Sequence, residues 1–224
     1  MPTISQAARN SGIVFFGRIF NLFVDFIISI YLVRYLGSND FGIYSFVFIY
    51  ISFFGFVSLS GMDKVLVRAL SKNESAAERI IGNALTIRSI LPMLGIFLSI
   101  IILIFLDYPP YTKFLIYITS ITLFLSSLRI VYQSVFQTFL KMEYSVFSDA
   151  IGKIFYLLFV AILIFFAGNI FHLIIGIIIS NFITLFANII YSRKLVKPIF
   201  KFELNCIKKI VIPSFPLTLA GFFL

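Results

Sequence analysis

Stretches of twenty or more residues with almost no charge recur along this chain of 224 residues, and they leave few folds open. At a rise of 1.5 Å per residue, about twenty helical residues cross the hydrocarbon core of a bilayer. A water-soluble domain has no interior large enough for several such runs: 61% of the residues are apolar and only 12% are charged, and the mean hydropathy is +1.08. With lipid as the solvent, each segment must satisfy its own backbone polar groups, so helices are the expected element.

Six runs are long enough to span. They cover residues 12–36, interrupted by Arg18 and Asp25, the charge-free 41–61, and 80–106, which contains Arg88 and a Pro92 expected to kink the helix. The others are 111–140 with Arg129, 144–167 with Asp149 and Lys153, and 170–191. Charged residues between 63 and 79 read as a polar loop, and Asp107 to Pro110 and Gly168 with Asn169 as tight turns. A further apolar run begins at Ile210 and reaches Leu224, too short to span, so the chain reads as part of a longer protein. The expected organisation is a six-helix lobe over 1–192, a basic linker over 193–209 and the start of a second lobe over 210–224.

Lys and Arg outnumber Asp and Glu by 18 to 9, giving a formal charge of +9. With the N-terminus in the cytoplasm, only Arg34 and Lys113 fall in the outward connections. Four more cations lie inside apolar runs, and the rest lie in inward segments. That bias fits the positive-inside rule, so the basic balance is read as topology and no nucleic-acid partner is expected. The first apolar run lacks a small-residue cleavage pattern and reads as a retained anchor.

Cys206 is the sole cysteine and His172 the sole histidine, and no zinc-protease, nucleophile-elbow or P-loop pattern occurs. These absences point away from an enzyme, and no metal or cofactor is expected.

Arg18, Arg88, Arg129 and Lys153 are the informative exceptions, each costing about 2.5–3.5 kcal/mol at the bilayer centre on insertion scales. Arg18 and Lys153 lie about 10 Å in from the cytoplasmic side and the other two about 12–17 Å. Helical spacing groups Arg18 with Asn21 and Asp25, Arg129 with Gln133 and Gln137, Lys153 with Asp149 and Tyr156, and Asn181 with Thr184 and Asn188. Such stripes are expected to face one another or a water-filled cavity. For Arg18 and Lys153 snorkelling to the headgroups stands as an equal alternative. Asp25 reads as the partner of Arg18, with a proton or Na⁺ site as the alternative. A cationic cavity open to the cytoplasm suits an anionic substrate, since arginine offers paired bonds to phosphate oxygens.

The string RYLGSNDFGIYSFV at 34–47 resembles the turn between the first two helices of polysaccharide flippases. Further resemblance lies in SGMDKVLVRALSK at 60–72, FQTFLKMEYSVFSDAIGKIF at 136–155 and IKKIVIPSFPLTLAGFFL at 207–224. Together these resemble the O-antigen and polysaccharide flippases of the multidrug/oligosaccharidyl-lipid/polysaccharide exporter superfamily. The resemblance implies an all-α, polytopic transmembrane helix bundle, here a MATE-like N-terminal lobe of six helices plus the start of a seventh.

It further implies transport of undecaprenyl-pyrophosphate-linked oligosaccharide across the bacterial cytoplasmic membrane, with the N-terminus cytoplasmic. The expected partners are the lipid bilayer, the lipid-linked glycan, a polysaccharide polymerase and other assembly proteins. Coupling to a proton or Na⁺ gradient is left open. On this reading Arg18, Arg88, Arg129 and Lys153 bind the substrate, and Asn21, Asp25, Gln133, Gln137, Asn181 and Asn188 line the cavity. Gly37 and Gly42 read as structural. The alternatives are a small-molecule exporter, a glycan-modifying membrane enzyme and a non-transporting scaffold subunit.

Overall fold

A computed structural model describes residues 4–55, 61–73, 76–199, 203, 210–214, 216 and 218. The elements are α1 (Ile4–Gly55), α2 (Met62–Lys72), α3 (Ala77–Phe105), α4 (Pro110–Thr119), α5 (Ile121–Thr138), α6 (Met142–Phe165) and α7 (Ile170–Ser192). No strand occurs among the described residues, and the chain is an all-α bundle of apolar helices. Among the described residues, five segments are long and apolar enough to cross a membrane, the first of them 47 residues long.

That first segment has length for two crossings, because the helical path breaks at Gly37, where φ is 70° and ψ is −179°. Asp25, before the break, is bonded to Lys153, and Tyr44, after it, to Tyr156. In a straight helix Asp25 and Tyr44 would be about 28 Å apart, yet their partners on α6 are about 4.5 Å apart along the axis. The chain therefore turns back at Gly37, and its two arms run beside α6. Tyr35, just before the turn, donates to the Gly168 carbonyl at 2.6 Å and ties this turn to the one between α6 and α7. Among side chains only hydrogen fits that φ and ψ without strain, which is why the turn carries glycine.

Residues 63–79, expected as a polar loop, instead contain α2. Met62, Leu66 and Leu70 recur every four residues and are buried, while Lys64, Arg68 and Lys72 occupy the opposite face and are exposed. The expected single helix over 111–140 is interrupted at Ser120. There the hydroxyls of Thr119, Ser120 and Thr122 donate to the carbonyls of Leu115, Tyr117 and Thr119 at 2.6–2.7 Å, competing with the helical ladder. Pro92 lies buried within α3, which remains helical through it.

Small residues let the helices approach closely. A Cβ at Gly152 of α6 would lie 2.0 Å from Thr184 Oγ1 on α7, and Ser180 of α7 donates to the Gly152 carbonyl at 2.7 Å. Gly17 of α1 meets Val146 of α6 in the same way. Asn169 caps α7 through the backbone N–H of His172, whose ring Nδ1 lies 2.8 Å from the Asn169 oxygen, so the sole histidine has a capping role. The outer face is apolar, with Phe16, Phe97, Phe105 and Phe165 among its most exposed side chains. This inside-out pattern is that of a multi-pass membrane protein. Residues 210–214 are helical, and Ser214 and Thr218 donate to the carbonyls four residues earlier. Most of the expected linker, including Cys206, lies outside the described residues.

Candidate functional site

The polar residues inside the bundle form two compartments on either side of α5. The smaller, about 350 Å³, is lined by Arg18 of α1, Asp63 of α2, Arg88 of α3, and Ser127, Gln133 and Gln137 of α5. The larger, about 630 Å³, lies between the two arms of α1 and helices α5, α6 and α7. Both volumes fall within the range of small-molecule sites.

Arg88 dominates the smaller compartment. It is 1% exposed, the bulkiest of the fully buried side chains, and carries a charge that lipid cannot solvate. Asp63 shares the compartment at the start of α2, and Arg18 reaches it from an exposed position on α1. Among the described residues lining this space, Arg18 and Arg88 are the cations and Asp63 is the carboxylate. Pro92 lacks the N–H that would bond the Arg88 carbonyl in a regular helix, so the backbone as well as the side chain is altered at this point. Asp63 Oδ1 and Ser127 Oγ are buried without hydrogen-bond partners.

In the larger compartment the charges are matched. Lys153 Nζ is bonded to the Asp25 carboxylate and lies 3.2 Å from the Asn21 carbonyl oxygen. Arg129 lies 3.6 Å from Asp149. Two cations and two carboxylates thus pair between different helices, which keeps each charge compensated within the bundle. Asn181 lines the same space and donates to the Ile177 carbonyl at 2.9 Å. Towards the Gly37 turn the wall becomes aromatic: the Tyr44 and Tyr156 hydroxyls are 3.2 Å apart, and the Tyr44 ring contacts Phe48 with centroids 4.9 Å apart.

The four cations expected in one cavity are therefore divided, Arg18 and Arg88 on one side and Arg129 and Lys153 on the other. Asp25, expected as the partner of Arg18, goes to Lys153. Arg129 was expected to share a stripe with Gln133 and Gln137. Four-residue steps drift about 40° each around a helix, and across α5 that drift carries the glutamines into the smaller compartment while Arg129 stays in the larger. Asn21 and Asn181 line the larger compartment. Asn188 lines neither: it is fully buried and donates to the Thr184 carbonyl at 2.7 Å.

Sequence reading missed Asp63, taken as a loop charge, and Tyr44. Both had signals. Asp63 opens an amphipathic four-residue repeat, and Tyr44 is the tyrosine of the turn motif.

No curated protein and no solved structure matches the chain. A family model does, over residues 7–224, and its description is polysaccharide biosynthesis protein. The match takes in both arms of α1, all six further helices and every residue of the two compartments, and the chain belongs to the polysaccharide biosynthesis protein family.

Proposed function

We propose that this chain moves lipid-linked glycans of the undecaprenyl-pyrophosphate type across the bacterial cytoplasmic membrane by alternating access, without covalent chemistry. The observation that carries this reading is the pair of Arg18 and Arg88 at a polar compartment inside an apolar bundle. A fully buried guanidinium facing such a space suits a phosphate group, which accepts two parallel bonds from arginine. The membership in a polysaccharide biosynthesis family supports a glycan as the remainder of the cargo. The excess of Lys and Arg in the connections on the side of the N-terminus supports a cytoplasmic N-terminus. In this orientation Arg18 and Arg88 lie in the cytoplasmic half, where the lipid-linked substrate would be loaded. A polysaccharide polymerase and other assembly proteins would act on the delivered product.

The experiment is substitution of Arg18 and Arg88 by glutamine in cells whose surface glycan depends on this gene. Charge-assisted hydrogen bonds contribute about 1.5–3 kcal/mol, so surface glycan is expected to fall about tenfold or more at equal membrane abundance. Unchanged surface glycan in both variants would reject the reading. Export of small organic cations is the second reading, favoured by the carboxylates and rings of the larger compartment alone. Cellular drug accumulation that is indifferent to loss of the chain would dismiss it.

A further inference from the structure

The two compartments differ in chemistry as well as in position, and the difference assigns them different parts of one molecule. Among the described residues of the larger one, Asp25 and Asp149 match Lys153 and Arg129 in number and lie within ion-pair range of them, so this lining carries no net charge to attract a bare anion. A pyrophosphate placed there would have to displace carboxylates already bound, at the cost of exposing them unpaired in a low-dielectric interior. What the walls offer instead is suited to an uncharged polyol. Asp25, over half exposed at 56%, presents acceptor oxygens to the space while holding Lys153. The amide of Asn181 uses one of its N–H groups on its own helix and keeps its oxygen for another donor. The same space is lined by the rings of Phe41, Tyr44 and Phe48, successive turns of one helix face, with Phe41 and Tyr44 stacked at 6.3 Å. Polar groups that accept and donate, together with flat aromatic rings in one space, match the two chemistries of a pyranose: hydroxyls at its rim and C–H bonds on its face.

We propose that the larger compartment is a saccharide subsite, which takes uncharged sugar residues of the glycan whose pyrophosphate is held by Arg18 and Arg88. It rests on the flippase reading only in taking a glycan as cargo. Arg129 and Lys153 are then positioning residues that hold Asp149 and Asp25 in place, and they contribute no net attraction for phosphate. Since α5 lines both compartments, with Arg129 one turn from Gln133, a single substrate meets both chemistries across the same helix. The larger space, about 630 Å³ against about 350 Å³, lies on the side assigned to the bulkier part of the cargo.

The test uses two probes on the protein in nanodiscs. One is farnesyl pyrophosphate, which carries the anion and no sugar. The other is the oligosaccharide released by mild acid from the lipid carrier of the same cells, which carries the sugars and no phosphate. The free oligosaccharide is expected to bind, and Tyr44→Ala and Asn181→Ala are each expected to weaken it about fivefold, the loss of one contact or hydrogen bond. Both variants should leave farnesyl pyrophosphate affinity within twofold, while Arg88→Gln should lose farnesyl pyrophosphate and keep the oligosaccharide. Asn181→Ala removes only a part-buried amide whose N–H bonds its own helix, and so guards against misfolding in the Tyr44 variant, and thermal unfolding confirms that each variant is folded. Oligosaccharide that fails to bind, or that binds both variants like the parent, overturns the subsite. Loss of farnesyl pyrophosphate binding in Asn181→Ala would overturn it too, by merging the compartments. If farnesyl pyrophosphate does not bind the parent protein while the oligosaccharide does, the arginine reading fails and the saccharide subsite stands.

Discussion

Lys153 on α6 reaches across to Asp25 on the first arm of α1, and three residues further along α6 Tyr156 meets Tyr44 on the returning arm. The ion pair therefore does two things. It compensates a cation inside the bundle, and it fixes where the first arm stands against α6.

Breaking this pair from one side leaves the other charge unmatched. Asp25→Asn or Lys153→Gln alone is expected to destabilise the protein by about 1–2 kcal/mol, a value reduced for the partial exposure of the pair. The double variant is expected to recover part of the loss. Thermal unfolding of the four proteins in a double-mutant cycle measures the coupling, and additive losses would mean that the pair contributes nothing.

Gly37 is exposed and has no heavy atom near the position of a Cβ, so a substitution there meets only the backbone. Gly37→Ala must hold φ near 70° with ψ extended, a region essentially reserved for glycine, at a cost of about 1–3 kcal/mol. A melting temperature equal to that of the parent would show that the arms can turn by another route.

Gly152 has the opposite problem. Its Cβ would lie 2.0 Å from Thr184 Oγ1 and 3.0 Å from the Ser180 carbonyl oxygen, so α6 and α7 must part. Gly152→Ala is expected to cost about 1–3 kcal/mol and Gly152→Val more. Thr184→Ala removes the nearer obstacle, and in combination with Gly152→Ala it should restore part of the loss by the same unfolding measurement.

The all-helical membrane character was legible because apolar runs of spanning length carry their own signal, and the reversal at Gly37 was legible in a turn motif. Other features needed the third dimension. The burial of α2 was hidden among the charges of 62–72, where Met62, Leu66 and Leu70 are too few to form an apolar run. The break at Ser120 arises from hydroxyls that bond their own backbone, which a hydropathy pattern does not register. Periodicity placed Asp25 and Arg18 on one helix face but could not bring in Lys153, 128 positions away. The same limit applies to Arg129, whose carboxylate partner Asp149 stands on the next helix.

After α7, Glu203 and Ile199 are both anchored to α3. The Glu203 N–H donates to Asn83 Oδ1 at 2.8 Å, its carboxylate is bonded to Arg79, and nearby the Ile199 N–H donates to the Glu78 carbonyl at 3.1 Å. Asn83 is fully buried, whereas Arg79 is largely exposed. Asn83→Ala is therefore expected to increase the rate of cleavage after Glu203 by a glutamate-specific protease several-fold, and Arg79→Ala much less, since exposed ion pairs contribute about 0–1 kcal/mol. Equal rates in the two variants would reverse that ranking.

Transport of a lipid-linked glycan, the function proposed for this chain, changes which face of the membrane the glycan occupies. The most direct measurement is the sidedness of undecaprenyl-pyrophosphate-linked glycan in cells depleted of the protein, read by labelling the sugars from outside before and after permeabilisation. In the depleted cells lipid-linked glycan is expected still to be made and to accumulate on the cytoplasmic face. Glycan that stays equally accessible from outside, or that is no longer made at all, would contradict the proposed transport.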